Sequence, residues 1–333
     1  MSRSKLFLHI GSPKTGSTYL QATASRRRGE LGETGLLYPA ATERGHGHHD
    51  VAFLLSGDYP GWATPQDKPL HELGEELGAE CRGHAGDILI SSENFYLFPN
   101  PEALRTFVAD SGLAADRDIC IIVYLRRQDQ MLVSWYNQMV KALGEDRPFE
   151  AVLPEIRELG DYPARLAVWA QTFGEDAIVA RNFDAAVSAP GGLWTDFLRV
   201  MGRELDAPGE EPGENGVNIS LSRDLLEVQR IINRLPVSIE EKRAFHKTLM
   251  DLTAKGGAHF NDAPLLSNSE RRSLFESYAD SNARLSTSYT RDQPGFDTDD
   301  LDAPDGPGYP GLSNDTTVAV LAWLVLNGGS GDS

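Results

Sequence analysis

A chain of 333 residues with 40% apolar and 24% charged side chains can bury a full core, as one large α/β domain or two small ones. Its net charge of −18 excludes general nucleic-acid binding, which needs a broad basic surface. That charge still allows an anionic ligand, held by a few placed cations and backbone N–H groups.

Two cysteines, Cys81 and Cys120, give no disulfide framework. The N-terminus has no apolar stretch followed by a small-residue cleavage site. The longest apolar run, Val318 to Leu326, is shorter than the roughly 18–20 residues of a membrane span. A cytoplasmic protein without a membrane span is expected.

Leu6 to Ile10 reads as a first buried strand, followed by a helix from Gly16 to Arg28 whose last turn carries Arg26, Arg27 and Arg28. A loop region follows, with the cluster GHGHHD at Gly45 to Asp50. Asp87 to Ser92 reads as a second strand ending at Glu93, and Asn100 with Pro101 opens a helix to Asp110. Asp118 to Leu125 is rich in β-branched residues and is expected to be buried on both faces. Gln130 to Leu143 and Tyr162 to Phe173 have helical periodicity, Ala177 to Ala180 is a short strand, and Gly192 to Met201 a further helix.

This alternation predicts an α/β fold, P-loop-like and three-layered, with a mainly parallel sheet flanked by helices and a helical C-terminal portion. Residues 1–206 form the core in this reading. Residues 207–291 are its helical continuation, with a Pro/Gly/Glu-rich connection at 207–216 and helices over Ser222 to Leu235, Ser238 to Leu252 and Ser267 to Tyr289. Residues 292–333 read as a flexible acidic tail, closed by an apolar segment, Thr317 to Leu326, that docks on the body as helix or strand.

GSPKTGST, Gly11 to Thr18, has two glycines spaced as in the nucleotide-binding loop GxxxxGK[ST], but Ser17 stands where that loop has its lysine, and Lys14 lies three places earlier. A strand, a glycine turn and a helix N-terminus make an anion site on their own. The N–H groups of Lys14 to Thr18 would converge on a phosphate, with the Ser17 and Thr18 hydroxyls beside them. No second strand supplies an Asp placed to hold Mg²⁺, so a metal-free site is expected.

Ser12-Pro13-Lys14-Thr15-Gly16-Ser17-Thr18 resembles the 5′-phosphosulfate loop of the sulfotransferases that use 3′-phosphoadenosine 5′-phosphosulfate (PAPS). The resemblance implies that Pro13, Lys14, Thr15, Gly16, Ser17 and Thr18 hold the 5′ end of this donor, with Lys14 at the sulfuryl group. It extends to YLRRQDQMLVSWYNQ, where Arg126 and Ser134 are eight residues apart, the spacing with which the family holds the donor's 3′-phosphate. The family's Pro in that motif is Gln128 here, and Arg127 is the less favoured alternative by spacing. Looser similarity in YPARLAVWAQTFGEDAIVARNFD and LWTDFLRVMG puts Phe183 near the adenine or in the core. The C-terminal RKGxxGxW segment of the cytosolic members is missing, so the likeness is to bacterial and carbohydrate-type members.

Sulfuryl transfer to a hydroxyl or amine needs a base and positive charge at the leaving oxygen. Glu93, at a strand end, is the first candidate base, with a capping role as its alternative. His49, in the loop that covers the acceptor in this family, is the second. His46, His48 and His49 spell HxHH, yet a matched set of four zinc ligands is missing, so no metal is expected. The sequence thus points to in-line transfer from PAPS to a small-molecule or carbohydrate acceptor. A nucleotide kinase or GTPase, or a non-catalytic nucleotide-binding protein, stands as the alternative.

Overall fold

The computed structural model describes residues 3–206, 221–256, 260–290 and 293–327; the Pro/Gly/Glu-rich connection at 207–216 lies outside the described residues. The chain opens with β1 (Ser4–His9), α1 (Ser17–Arg26), α2 (Arg28–Glu33), β2 (Leu36–Leu37), α3 (His49–Ser56) and α4 (Leu70–Cys81). It continues through β3 (Asp87–Ser91), α5 (Asn94–Leu97), α6 (Pro101–Asp110), β4 (Arg117–Leu125), α7 (Gln128–Gln138) and α8 (Phe149–Ile156). Then come α9 (Tyr162–Phe173), β5 (Ile178–Asn182), α10 (Phe183–Ser188) and α11 (Gly192–Val200). The last helices are α12 (Arg223–Ile232), α13 (Ile239–Gly256), α14 (Asn268–Glu276), α15 (Ala279–Ser288) and α16 (Asn314–Asn327).

Two compact units result. The first combines Met1–Met131, Glu158–Gly209 and Ser277–Asp297; the second combines Leu132–Arg157, Glu210–Glu276 and Thr298–Ser333. The first unit holds the sheet, five strands in the order β2-β3-β1-β4-β5, paired in parallel throughout. The fold is therefore α/β with a parallel sheet flanked by helices, as the alternating apolar runs predict. Successive strand residues point to opposite faces. Phe7, Leu89 and Ile122 join a core cluster with Leu20 of α1 and Trp194 and Phe197 of α11. Their neighbours Leu6, Leu8, Ile90, Ile121 and Val123 are equally enclosed on the other face. Burial on both faces is why β1, β3 and β4 read as continuous apolar runs.

Four stretches differ from the sequence expectation. The region after Arg28 is not one loop: it contains α2, β2, α3 and α4. There α4 buries only Leu73, Gly74, Leu77 and Cys81 among its acidic residues, a narrow stripe. Gln130 to Leu143 is not one α-helix, because α7 gives way at Met139–Leu143 to a π-helical turn that ends on Gly144 at φ 78°. Ser267 to Tyr289 breaks into α14 and α15, with the buried Tyr278 as N-cap of the second helix. In the second unit the terminal apolar segment is the helix α16, but it buries Val320 and leaves Val318, Leu321, Val325 and Leu326 exposed. Among the described residues no helix is long and apolar enough to cross a membrane.

Candidate active site

β1 leads the chain to the C-terminal edge of the sheet, where ligands of open parallel sheets collect. Gly11 makes the turn at φ 49°. A Cβ there would stand 2.7 Å from Ser17 Oγ and 3.2 Å from Glu93 Cβ, so only glycine lets the loop, α1 and the end of β3 approach this closely. Ser12 Oγ donates to the Tyr124 carbonyl of β4 (2.7 Å), and Thr15 Oγ1 donates to the Ser12 carbonyl (2.8 Å). These bonds and the buried Pro13 fasten the loop to the sheet. Lys14 adopts φ 64°, a left-handed conformation uncommon for a residue with a side chain.

Gly16 is the N-cap of α1 and supplies no side-chain cap, so the first N–H groups of the helix face the loop without that partner. Ser17 is 6% exposed, and its hydroxyl lacks a hydrogen-bond partner among the described residues. A buried hydroxyl at a helix N-terminus has the chemistry an anion oxygen would satisfy. Thr18 is exposed beside it.

Phe183, the first residue of α10, links this loop to the end of β4. A Cβ on Gly16 would lie 3.3 Å from its ring, and the Arg126 guanidinium carbon lies 5.6 Å from the ring centroid. Arg126 Nε donates to Gln130 Oε1 (2.9 Å), and Asp184 Oδ1 is 3.7 Å away. Arg127 is oppositely placed: 1% exposed, it forks onto both oxygens of Asp129 (2.7 and 3.0 Å) and donates to the Asp297 carbonyl. Ser134 lies on α7 within the second unit, whereas Arg126 belongs to the first. Their pairing thus rests on sequence spacing.

Lys14 reaches solvent, yet surrounding protein atoms lower its ammonium from the ordinary lysine range; the Arg126 charge lowers it further and Glu93 opposes both. Glu93 is the N-cap residue of α5 but makes no side-chain cap bond, which removes the capping alternative there. Its Oε2 accepts from Gln21 Nε2 (3.0 Å) and lies 3.8 Å from His49 Nδ1. That nitrogen is also 2.9 Å from Ser92 Oγ and 3.1 Å from Asn94 Nδ2.

The three histidines of the HxHH run do not converge. His46 is exposed, while His48 is enclosed between the Pro39 carbonyl (3.2 Å) and the Ser91 N–H (3.2 Å) and is pushed by burial down to about 4. Among the described residues no three His, Cys, Asp or Glu side chains form a metal-ligand group.

No motif in the sequence marks Gln21, Ser92 or Asn94. The one available signal is that Gln21 follows Ser17 by four residues on α1, which puts both on one helix face.

No family model matches the chain. It is 30% identical over 204 residues to an uncharacterized protein of Archaeoglobus fulgidus. That alignment covers 61% of this chain and 53% of the relative, so the chain spans about half the relative's length. Among solved structures it is similar to a sulfotransferase from Alicyclobacillus acidocaldarius, with a TM-score of 0.41 and 15% identity over 73% of this chain and 100% of that one.

Proposed function

We propose that this chain transfers a sulfuryl group from PAPS to a hydroxyl or amine of a small-molecule or carbohydrate acceptor. The observation that supports the reading is that the Gly11–Thr18 loop and Arg126, one residue of the second motif, both lie against Phe183. A donor with phosphate at both ends of one adenosine needs two anion grips within its own length. The unpartnered Ser17 hydroxyl and the uncapped start of α1 suit the 5′-phosphate. Arg126, with Ser134 by spacing, suits the 3′-phosphate, for which a planar fork is the better partner than an ammonium. Phe183 offers a ring beside the adenine.

In this reading Glu93 takes the proton of the acceptor as its oxygen or nitrogen bonds to sulfur. The bond between sulfur and the bridging oxygen breaks in line, and adenosine 3′,5′-bisphosphate leaves with the electron pair. Lys14 stabilises the charge that grows on that leaving oxygen. The proton then passes from Glu93 to solvent. His49, fixed by Ser92 and Asn94, lines the acceptor side.

The test is calorimetry with adenosine 3′,5′-bisphosphate, together with labelled PAPS and a panel of phenols and sugars read by mass for one added sulfuryl group. Lys14→Ala should lower turnover about 100-fold with little change in bisphosphate affinity. Arg126→Ala should weaken that affinity about tenfold or more, the effect of losing a charge-assisted fork. Binding of ATP with Mg²⁺ in place of the bisphosphate would identify a kinase or GTPase instead. Bisphosphate binding without transfer to any acceptor would identify a non-catalytic binder.

A further inference from the structure

Gln21 is a polar residue in an apolar place. It lies on α1 among the side chains that face the sheet and is 3% exposed. Its amide nitrogen has two protons and two acceptors at hand: Glu93 Oε2 at 3.0 Å and Ser91 Oγ at 3.2 Å. Ser91 is itself held, since its Oγ is 2.7 Å from Nδ1 of His9, which is fully enclosed. The chain of contacts therefore runs from the last residue of β1, through the last residue of β3 and a residue of α1, to one oxygen of Glu93.

A second observation comes from the opposite side. A Cβ on Gly47 would stand 3.0 Å from Gln21 Cδ and 2.8 Å from both Cε1 and Nε2 of His49. The backbone at Gly47 thus closes over the Gln21 amide and the His49 ring together, and a larger residue would push one of them aside.

Building on the sulfotransferase reading, we propose that Gln21 is the positioning residue of the general base, fixing the Glu93 carboxylate from the same helix whose N-terminus grips the donor. Ser17 and Gln21 occupy one face of α1 a helical turn apart. Movement of that helix would carry the 5′-phosphate site and the base together, so the proton acceptor keeps its place relative to the sulfur. An amide suits this task chemically. It orients a carboxylate by a directional hydrogen bond, whereas a lysine or arginine would add a full charge and strip the carboxylate of basicity.

Gln21→Met keeps the length and bulk of the side chain and removes the donor. With PAPS as donor and 4-nitrophenol or N-acetylglucosamine as probe acceptor, we expect kcat to fall about tenfold, a fraction of a general base's usual share. KM for PAPS and calorimetric affinity for adenosine 3′,5′-bisphosphate should stay within about twofold. The acid limb of the rate profile should move to higher pH, because the charged carboxylate has lost a donor. In a Glu93→Gln background the same substitution should change kcat by less than about twofold, since both act through one carboxylate. An unchanged kcat and pH profile in Gln21→Met, or an equal loss in both backgrounds, overturns the assignment. The Glu93 carboxyl titration, followed by ¹³C NMR and identified by its disappearance in Glu93→Gln, needs no acceptor. Should the wild type transfer nothing, a titration moved by Gln21→Met sustains the positioning role while the sulfotransferase reading falls. A titration left in place by Gln21→Met refutes the role.

Discussion

Arg127 uses its guanidinium inside the protein, on Asp129 and the Asp297 carbonyl, while Arg126 keeps 28% of its side chain in solvent and has a carboxylate at 3.7 Å. Removing either has a different cost. Arg127→Ala removes a two-bond fork from a fully buried Asp129, so we expect a loss of about 3–5 kcal/mol in stability, measured as a lowered urea midpoint. The carboxylate near Arg126 belongs to Asp184, itself 38% exposed, and it competes with any phosphate that Arg126 would hold. Asp184→Asn should therefore tighten binding of adenosine 3′,5′-bisphosphate by about threefold, a modest gain because exposed pairs are screened by solvent and salt. The gain should shrink in high salt. Weaker calorimetric affinity in Asp184→Asn would mean that the carboxylate serves the ligand instead.

The loop depends on backbone forms that few side chains tolerate. Gly16 sits at φ 74°, and a Cβ there would meet Leu193 Cδ2 at 2.5 Å. Gly16→Ala should cost about 1–2 kcal/mol for the left-handed conformation alone, and more for the displaced leucine. A melting temperature lower by several degrees, with weakened bisphosphate binding, is the expected result. Glycines of this kind are legible in a sequence because their spacing is fixed by the turn they make. The apolar runs of β1, β3 and β4 are legible for a similar reason, since burial on two faces leaves no polar interruption. Asn100 with Pro101 announced α6, and the Asn100 side chain does accept from the Ala103 N–H. The stretch before β3 hid its helices: α3 follows a run of glycine and histidine, and α4 shows its two buried leucines only through a crowd of glutamates. Gln21 was hidden more deeply. A glutamine on a helix reads as surface, and nothing local says that its partners, Ser91 and Glu93, come from the end of a strand and the turn after it, about 70 residues away.

At the scale of the whole chain, sensitivity to acid comes from buried imidazoles as well as from carboxylates. His9 and His48 are enclosed in the first unit, and burial pushes each from the usual 6.5 down to about 4. His246 in the second unit is lowered to about 4 as well, by burial and then by Lys141. A histidine whose folded value lies below its unfolded one binds fewer protons when folded. Between pH 6.5 and 4 unfolding therefore takes up protons, and stability falls as pH drops through that window. For the fully enclosed His9 and His48 the loss is on the order of 3 kcal/mol each, a large part of a typical total of about 5–15 kcal/mol. Carboxylates lowered by arginine partners or hydrogen bonds, such as Glu145 and Glu227, act at more acid pH. Their contribution is present above the unfolded carboxylate value and is lost as pH falls through the lower folded one. The urea midpoint should thus hold steady above pH 7 and begin to fall near 6.5, before carboxylates protonate. In His9→Gln the slope between pH 6 and 5 should be smaller by about one proton. A midpoint that stays flat from pH 7 to 5 would show that these rings are protonated in the folded chain, and the enclosure of His9 behind Ser91 and Gln21 would have to be reconsidered.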